Sequence, residues 1–526
     1  MKNKILLSLI LLFSFVPLFA GNGSEIIYKT GKEYQTYEFS QIAAGKNTPG
    51  SVHAITRREF RSRLLNEESR EGDGVTTDVH LRLTPFVGLY DSPFDGDNKI
   101  TPTQLIYIYD KIPDPVSFTA AAGIDDYFYA KLVYTASCSK TTLADGMGVL
   151  QPISGEFYDS GDSPKEGYIS FSTDNISLAL GRFRGGIGHG LMGNLFQNGQ
   201  ATYYDQLAFS FYGKRFKYYY MMGMSSYYLT DDEMKYLDGD VNAAPPIAPA
   251  VDYNYEQLKM FAFHRIEFAP TDTFTLGIGE MTLVGGKTPD ASMVNPLGIY
   301  HNIYESRYHS YYAAIDASWV PARGHFIYAE LLANEIYVEG ESNTDPTATG
   351  AQLGYWYILP LETETKHRVA IEITHLDGWT YSDLTPYLTM YQRQIQREIK
   401  FDIPLGYSYG GDCEQVSFIY TAVSTNGMRI NVSLSRLHKG EIYLELKNPG
   451  TSDAVMPYVN RNKYKGRPTG TVEKWSMAEC SVDIPVTENI SINAFAHYSY
   501  IQNFGHVKGE SDQMLFLSAG ASFLVF

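Results

Sequence analysis

The sequence predicts an all-β protein, a transmembrane antiparallel β-barrel of the bacterial outer membrane. Three observations lead to this prediction. Short turns and long polar loops alternate between strand-like segments, the N-terminus carries an export signal, and the last strand, Met514–Phe526, ends on an aromatic residue. Only helices and closed barrels satisfy the polar groups of their backbone inside lipid. We count about 18 strands, in a range of roughly 14 to 20, and bacterial barrels have even numbers of strands.

The first 20 residues have the composition of a secretory signal peptide. Lys2 and Lys4 precede an apolar run that starts at Ile5, and small residues follow at Ala20 and Gly21. This pattern predicts cleavage near Ala20. The alternative is a membrane-anchoring helix, whereas a lipoprotein anchor is disfavoured because no Cys follows the apolar run. No later stretch has the roughly 18 apolar residues that a spanning helix needs.

The composition favours a membrane barrel and disfavours nucleic acid as a partner. Removal of Lys2 and Lys4 takes the formal charge from −17 to −19, so the mature chain would repel nucleic acid. The mean hydropathy of −0.22 fits strands that meet lipid on one face only. The 42 Tyr outnumber the 28 Phe and four Trp, and tyrosine suits the two aromatic girdles of a barrel. A secreted all-β enzyme could be equally rich in tyrosine.

The cysteines predict neither a metal site nor a cofactor. Cys138, Cys413 and Cys480 are far apart in the sequence and lack the spacing of metal ligands. One disulfide among them would leave the third thiol free. The histidines are also scattered without metal-site spacing.

Four segments alternate clearly between apolar and polar residues: Thr273–Met281, Lys366–His375, Arg429–Leu437 and Asn489–Tyr500. A period of two with one polar face indicates a strand between two different environments. The last strand is ambiguous, because both of its faces carry large apolar side chains. The sequence therefore leaves open which of its faces meets lipid.

The connections fall into a short class and a long class that alternate along the chain. The short turns are 173–175, 213–214, 270–272, 321–324 and 425–427, and they are rich in Gly, Asn and Asp. The long connections are 185–200, 230–256, 285–308, 376–414 and 439–473. Outer-membrane barrels have tight periplasmic turns and extended outer loops. A soluble sandwich or propeller, the competing fold, does not predict this alternation.

We divide the chain into residues 1–20 as the signal peptide, 21–76 as a periplasmic N-terminal segment and 77–526 as the barrel. Residues Ser51–Ser69 carry mixed charge without strand alternation. They fit either a short amphipathic helix on the periplasmic side or an extended leader.

A glycine-rich stretch after Leu180 is the strongest candidate for a binding site. Arg182, Arg184 and His189 are predicted to contact an anionic sugar there. The alternative is a loop that folds into the barrel and packs through glycine contacts. The stretch is not a nucleotide-binding loop, since neither a helix nor a Lys-Ser/Thr pair follows it. His189, Asp205 and Ser210 do not have a spacing that requires a hydrolase triad, so we predict no catalytic residue.

Two further groups have structural interpretations. His264 to Glu267 place opposite charges on one strand, which predicts an ion pair lining the lumen. Tyr218–Tyr220 are predicted to belong to the girdle. Tyrosines of the outer loops could be structural or could stack on sugar rings (Tyr300, Tyr304, Tyr308, Tyr381, Tyr387).

Three blocks of sequence resemble the Wzi-type capsule-assembly outer-membrane proteins, across about residues 168–338. The first is Leu178–Arg182 with the glycines after it, and the second runs from His264–Phe268 to Leu276–Glu280. The third contains Asn295-Pro296, Ala314–Asp316 with Pro321, and Tyr328–Leu332. Family members often have a Trp beside a Gly-Pro-Gly where this chain has Gly185–Gly188. The chain beyond about Leu376 gives no match.

The resemblance implies an 18-stranded barrel that attaches or organises surface polysaccharide without enzymatic activity. The alternatives are a general porin for small solutes and, third, a secreted or barrel-borne hydrolase. The expected partners are membrane lipid with a lipopolysaccharide-type outer leaflet, surface polysaccharide and the barrel-insertion machinery. The expected location is the bacterial outer membrane.

Overall fold

The computed structural model describes residues 22–48, 50–65, 74–92, 113–138, 146–150, 157–159, 164–199, 203–225, 228–229, 234, 257–302, 308–335, 348–361, 363–383, 386–396, 399–442 and 467–526. The predicted signal peptide lies outside these residues. Among the described residues, no helix is both long enough and apolar enough to cross a membrane.

The N-terminal segment forms a small unit of its own before the barrel begins. Strand β1 (Ile26–Tyr28) pairs with β2 (Ala54–Thr56), and helix α1 (Lys32–Ala43) connects them. Helix α2 (Arg57–Glu59) follows, and its N-cap residue Thr56 accepts a hydrogen bond from the amide of Glu59. A π-helical turn, Phe60–Leu65, continues from it. Part of Ser51–Ser69 is thus helical, as one of the two interpretations predicts, and residues 66–69 lie outside the described range.

The strands described from residue 75 onward form a closed antiparallel barrel with 18 spanning strands, as the sequence predicts. The spanning strands are β3 with β4 (Val75–Leu83, Phe86–Ser92), β5 (Val116–Ile124), β6 (Phe128–Cys138), β9 (Glu166–Ser172), β10 (Ile176–Arg184), β11 (Tyr203–Tyr212), β12 (Phe216–Met224), β13 (Lys259–Phe268), β14 (Phe274–Gly285), β15 (His309–Trp319), β16 (His325–Glu335), β17 (Ala348–Ile358), β18 (Thr365–Leu376), β21 (Cys413–Ser424), β22 (Arg429–Lys439), β23 (Glu473–Pro485), β24 (Ile490–Gln502) and β25 (Ser511–Leu524).

Four shorter strands are also described. Two of them extend the barrel sheet, and two form a hairpin in the connection between β18 and β21. β7 (Gly146–Leu150) pairs with β4, and β8 (Phe157–Asp159) pairs with β6. β19 (Tyr391–Gln396) and β20 (Ile399–Pro404) form a separate hairpin. The barrel closes where β25 pairs with β4 and, at its end, with β3. The break between β3 and β4 falls at Pro85, which has no amide hydrogen to donate to the ladder.

All five predicted short turns connect neighbouring strands at one end of the barrel, and the strands that flank the five predicted long connections meet them at the other end. Most of 230–256 and of 439–473 lies outside the described residues. The turn 425–428 illustrates the local chemistry: Gly427 has a φ of 96°, a conformation that glycine adopts without strain. By the usual arrangement of outer-membrane barrels, the end with the short turns faces the periplasm.

The strand faces follow the alternation in the sequence. Ile278, Val369 and Leu434 are exposed on the outer wall, as their segments predict. The structure also resolves the ambiguity of the last strand. Leu517 and Phe523 are exposed on the outer wall, while Met514 and Phe516 are buried inside the barrel.

Part of the outer wall is covered by protein. The connection after β14, residues 286–302, packs against the outward side chains of β12 to β15, where Tyr220, Ala262 and Tyr300 form a buried cluster. The hydroxyl of Tyr220 donates to the carbonyl of Val294 at 2.7 Å, and that of Tyr218 donates to Pro296. Tyr218 and Tyr220 thus face outward under this loop, whereas Tyr219 is buried inside the barrel.

Candidate functional site

The N-terminal segment lies inside the barrel, where it forms a plug; we use this name for residues 22–48 and 50–65. Helix α1 contacts strands β16, β17, β18 and β21. The side-chain amide of Asn47 donates to Ser318 on β15 at 2.9 Å, and the amide of Ser51 donates to Glu267 on β13 at 3.0 Å. At the other side of the plug, Arg58 forms an ion pair with Asp126, in the turn after β5, at 3.2 Å.

Buried ion pairs attach the plug to the wall. Glu59 of the plug lies 2.7 Å from the Nζ of Lys217 on β12 and 2.9 Å from Arg63. Arg265 bridges Glu267 and Asp316 on the inner wall, so the predicted lumen ion pair of Arg265 and Glu267 is confirmed. The side chains in this cluster are almost completely buried. Because an unpaired buried charge is costly, this network fixes the position of the plug.

The glycine-rich stretch does not extend outward as a surface loop. Residues 185–199, which we call the inner loop, fold into the lumen and touch the plug. Ile187 forms a bridge with Val52, and the amide of His53 donates to the carbonyl of Gly186 at 2.8 Å. The glycines allow this approach, since a Cβ on Gly199 would lie 2.1 Å from Nδ1 of His53. This arrangement is the packing alternative that the glycines also predict.

Two buried carboxyl groups of the barrel wall bind the inner loop through its backbone. Glu330 on β16 accepts hydrogen bonds from the amides of Leu195 and Phe196, at 3.3 and 3.0 Å. Glu372 on β18 accepts from the amide of Leu191 at 2.6 Å. Each carboxyl group therefore satisfies amides that would otherwise be unpaired in the interior.

A second long connection covers the inner loop. Residues 377–412, which we call the capping loop, carry the hairpin of β19 and β20. The hydroxyl of Tyr381 donates to the carbonyl of Leu195 at 2.5 Å, and the amide of Asn198 donates to the carbonyl of Leu405 at 2.8 Å. The plug, the inner loop and the capping loop share one buried apolar cluster, which includes Val52, Phe196 and Tyr407. The described part of the lumen is thus filled by three layers of the chain.

His189 lies within this filling and not at the surface. Its Nδ1 is 2.9 Å from the Nζ of Lys29 of the plug, and its ring packs against Phe326 and Tyr328. Its exposed fraction is 3%. Burial, followed by the charge of Lys29, lowers the pKa of His189 well below its usual value. The side chain is therefore a neutral partner of Lys29.

Arg182 and Arg184 point the other way. They alternate along β10 with Phe183, which is 1% exposed on the inside, and they share the outer face with Leu178 and Leu180. Arg182 forms a bidentate pair with Asp205 on β11, with N–O distances of 2.9 and 2.6 Å. The guanidinium of Arg184 lies 4.8 Å from the ring centre of Tyr203. The structure thus brings the two arginines together at the outer rim but separates them from His189.

Other candidates from the sequence are also dispersed or buried. Asp205 faces outward while Ser210 is buried inside, so neither is grouped with His189 as a triad. Of the outer-loop tyrosines, Tyr300, Tyr381 and Tyr387 are buried, and Tyr304 lies outside the described residues. Within the described ranges, no group of three His, Cys, Asp or Glu side chains could hold a metal ion.

Comparison with known proteins identifies the architecture. No family model matches the chain. A search of curated proteins likewise returns no match. Among solved structures, Wzi of Escherichia coli, described as a carbohydrate-binding β-barrel involved in group 1 capsule assembly, matches with a TM-score of 0.55 and 13% identity, covering 95% of this chain and 99% of that one.

Two proteins of Pseudomonas aeruginosa are more distant. OpdQ has a TM-score of 0.38 and 9% identity, and OccK5 (OpdH) has 0.39 and 10%. Each match covers 86% of this chain and 98% of the other chain. The match to Wzi shows that the chain has the fold of that outer-membrane β-barrel, and the resemblance noted in the sequence is confirmed at the level of the fold.

Proposed function

We propose that this barrel binds surface polysaccharide without enzymatic activity and helps to attach or assemble it at the cell surface. The observation that most supports this proposal is that segments of the chain itself occupy the lumen. The plug, the inner loop and the capping loop are joined by buried ion pairs and backbone hydrogen bonds. A general porin needs a polar, water-filled channel, so this interior favours a binding role over solute passage.

The likeness to Wzi supports the polysaccharide class of ligand, since that protein is described as a carbohydrate-binding barrel. In this proposal the outer rim is the contact surface. Arg182 and Arg184 face outward there, and their guanidinium groups suit carboxylate or phosphate groups of an acidic polysaccharide. His189 acts indirectly, by holding the plug to the inner loop through Lys29.

Three measurements test the proposal. Purified protein in planar bilayers should show no large steady conductance, and cells that lack the protein should release polysaccharide that a plasmid-borne copy retains. Immobilised protein should also bind that polysaccharide, while a heat-unfolded sample should not. A large steady conductance together with unchanged surface polysaccharide would instead identify a porin.

A further inference from the structure

The outer wall of β22 to β24 carries a group of cationic side chains at its outer edge. Arg436 and His438 face outward near the end of β22, and Lys474 lies directly opposite His438 at the start of β23. The side chain of Arg436 is oriented by Ser476 and, at 3.4 Å, by Gln502. Three basic side chains thus occupy neighbouring positions of two strands.

Arg436 and Lys474 differ from other basic side chains on the outer wall. Arg182 lies opposite Asp205, and His264 lies opposite Glu280. His375 and His438 both lie opposite Glu414, so each of these four side chains has a carboxylate on the next strand. Lys474 is exposed and forms no ion pair with any other described residue. Arg436 and Lys474 lie diagonally across β22 and β23, close enough for their long side chains to reach one anion.

An apolar groove lies on the same strands, closer to the middle of the membrane. Its volume is about 390 Å³. Its floor and sides come from β23, β24, β25 and β4, with lining side chains Cys480, Val482, Ala494, Ala496, Leu517, Ala519, Val87 and Leu89. Small side chains on β24 and β25 form the depression. Leu89 and Leu517 stand side by side at one edge, with 45% and 37% of their surface exposed.

The basic side chains and the groove follow one another along the direction of the strands. Ser476, Ala478 and Cys480 are successive outward positions of β23, and Tyr500, Tyr498 and Ala496 are the matching positions of β24. At about 3.4 Å per residue, the groove begins roughly 14 Å along the strand from the level of Arg436 and about 20 Å from Lys474. That separation matches a lipid whose headgroup is at the membrane surface and whose chain runs into the hydrocarbon region. Tyr498 and Tyr500, 42% and 37% exposed, lie between the two, where girdle tyrosines are expected.

We propose that this wall is a specific site for a phosphorylated lipid of the outer leaflet. The phosphate would accept hydrogen bonds from Arg436 and Lys474, and one acyl chain would occupy the groove over Ala494, Ala496 and Ala519. Arginine and lysine are the side chains that bind phosphate through charge-assisted hydrogen bonds. The site is separate from the plug and from the proposed polysaccharide contacts.

The test is native mass spectrometry of protein extracted from outer membranes in a mild detergent, with the phosphorus content of the retained lipid measured in parallel. The wild-type protein should retain about one phosphorylated lipid per chain. R436Q/K474Q should lower that occupancy at least fivefold, and A494L/A496L, which fills the groove, should lower it similarly. R436K/K474R should retain the lipid.

Two matched control variants show whether the loss of lipid is specific to this site. K214Q/R215Q removes two positive charges at the opposite rim, and A120L/A122L enlarges two outward alanines of β5; both should keep the wild-type occupancy. Heat-modifiable mobility on gels shows that each variant has a closed barrel. Wild-type protein without retained lipid, a retained lipid without phosphorus, or equal occupancy in either site variant and its control would overturn the proposal.

Discussion

The Nζ of Lys217 on β12 lies 2.7 Å from the Oε1 of Glu59 in the plug, and each side chain is 1% exposed. The two residues are 158 positions apart in the sequence. Glu59 also pairs with Arg63, so one carboxylate of the plug neutralises two buried cations. This contact ties the N-terminal segment to the inner wall.

Replacement of Glu59 by Gln should release the plug. It keeps the side-chain shape but leaves Lys217 without its ion-pair partner and Arg63 with only its longer pair to Glu267 at 3.7 Å. Breaking a buried pair costs about 3–5 kcal/mol. About 3 kcal/mol corresponds to a roughly hundredfold change in an equilibrium constant. Hydrogen exchange of the amides of residues 22–65 should accelerate by at least that factor, and planar bilayers should show new conductance.

The control for this change is Glu33→Gln. Glu33 pairs with Arg57 at 2.6 Å, but its side chain is 48% exposed. Exposed pairs contribute only about 0–1 kcal/mol, so exchange of the plug should change less than about fivefold. Equal exchange in both variants would show that the buried pair does not hold the plug.

The glycine contacts of the inner loop give a second prediction. Gly199→Ala places a methyl group 2.1 Å from Nδ1 and 2.6 Å from Cε1 of His53, so the inner loop and the plug must separate. Overpacking of this kind costs about 1–3 kcal/mol. The variant should expose the plug to limited proteolysis, with a rate that rises tenfold or more.

Gly213→Ala is the matched control, because no other atom lies within 4 Å of a Cβ at that position. It should be cleaved at the wild-type rate. If Gly199→Ala were as resistant to proteolysis as Gly213→Ala, close packing against His53 would not contribute to closure.

The sequence predicts the barrel well because the relevant signal is local. Each strand has one face in lipid, so apolar residues recur at every second position within a few residues, as in Phe274, Leu276 and Ile278. The turns are local as well, since glycine and asparagine fix their geometry within three or four residues. The order of the strands along the chain, the face of each strand that meets lipid, and the division into short and long connections follow from these signals.

The contacts that fill the lumen have no comparable signal in the local sequence. Glu59 and Lys217 meet across 158 positions, and nothing near either residue marks the other as its partner. The arrangement of Arg182 and Arg184 could have been derived. They share the parity of Leu178 and Leu180 along β10, which predicts the outer face, whereas His189 follows the strand and its place depends on contacts with Lys29.

Acidification should loosen the plug through His53. Burial, followed by the charge of Lys29, lowers the pKa of His53 from 6.5 to about 3. Between pH 6.5 and pH 3, His53 binds a proton in the released plug but not in the docked plug. The contribution of His53 to docking is therefore fully present above pH 6.5 and decreases as the pH falls. The slope for this one group is about 1.4 kcal/mol per pH unit.

Hydrogen exchange of the plug, corrected for intrinsic rates, should therefore show a steeper pH dependence in the wild type than in His53→Gln. His189 and Glu38 titrate in both proteins, and the raised pKa of buried Glu38 acts in the opposite sense, so the difference between the two slopes isolates His53. Between pH 6 and pH 4 that difference should approach one proton. Parallel slopes would mean that His53 is equally free to take up a proton in the docked plug.

Substitutions of Arg182 and Asp205 can distinguish a glycan contact at the rim from a purely structural role. The pair is partly exposed, with side-chain exposures of 24% and 58%, so its loss should cost only about 0–1 kcal/mol of stability. If Arg182 binds an acidic polysaccharide, Arg182→Gln should weaken retention at the cell surface severalfold. Asp205→Asn removes the competing carboxylate and should leave retention unchanged or stronger.

The two substitutions break the same ion pair, so a purely structural role predicts equal losses from both. Retention is measured as the fraction of polysaccharide that stays with washed cells, and binding to the purified variants is measured alongside it. His189→Gln should act differently, by increasing exchange in the plug before any change in polysaccharide binding. Equal retention in Arg182→Gln and wild type would exclude Arg182 from the contact surface, because the guanidinium is the only group that the substitution removes there.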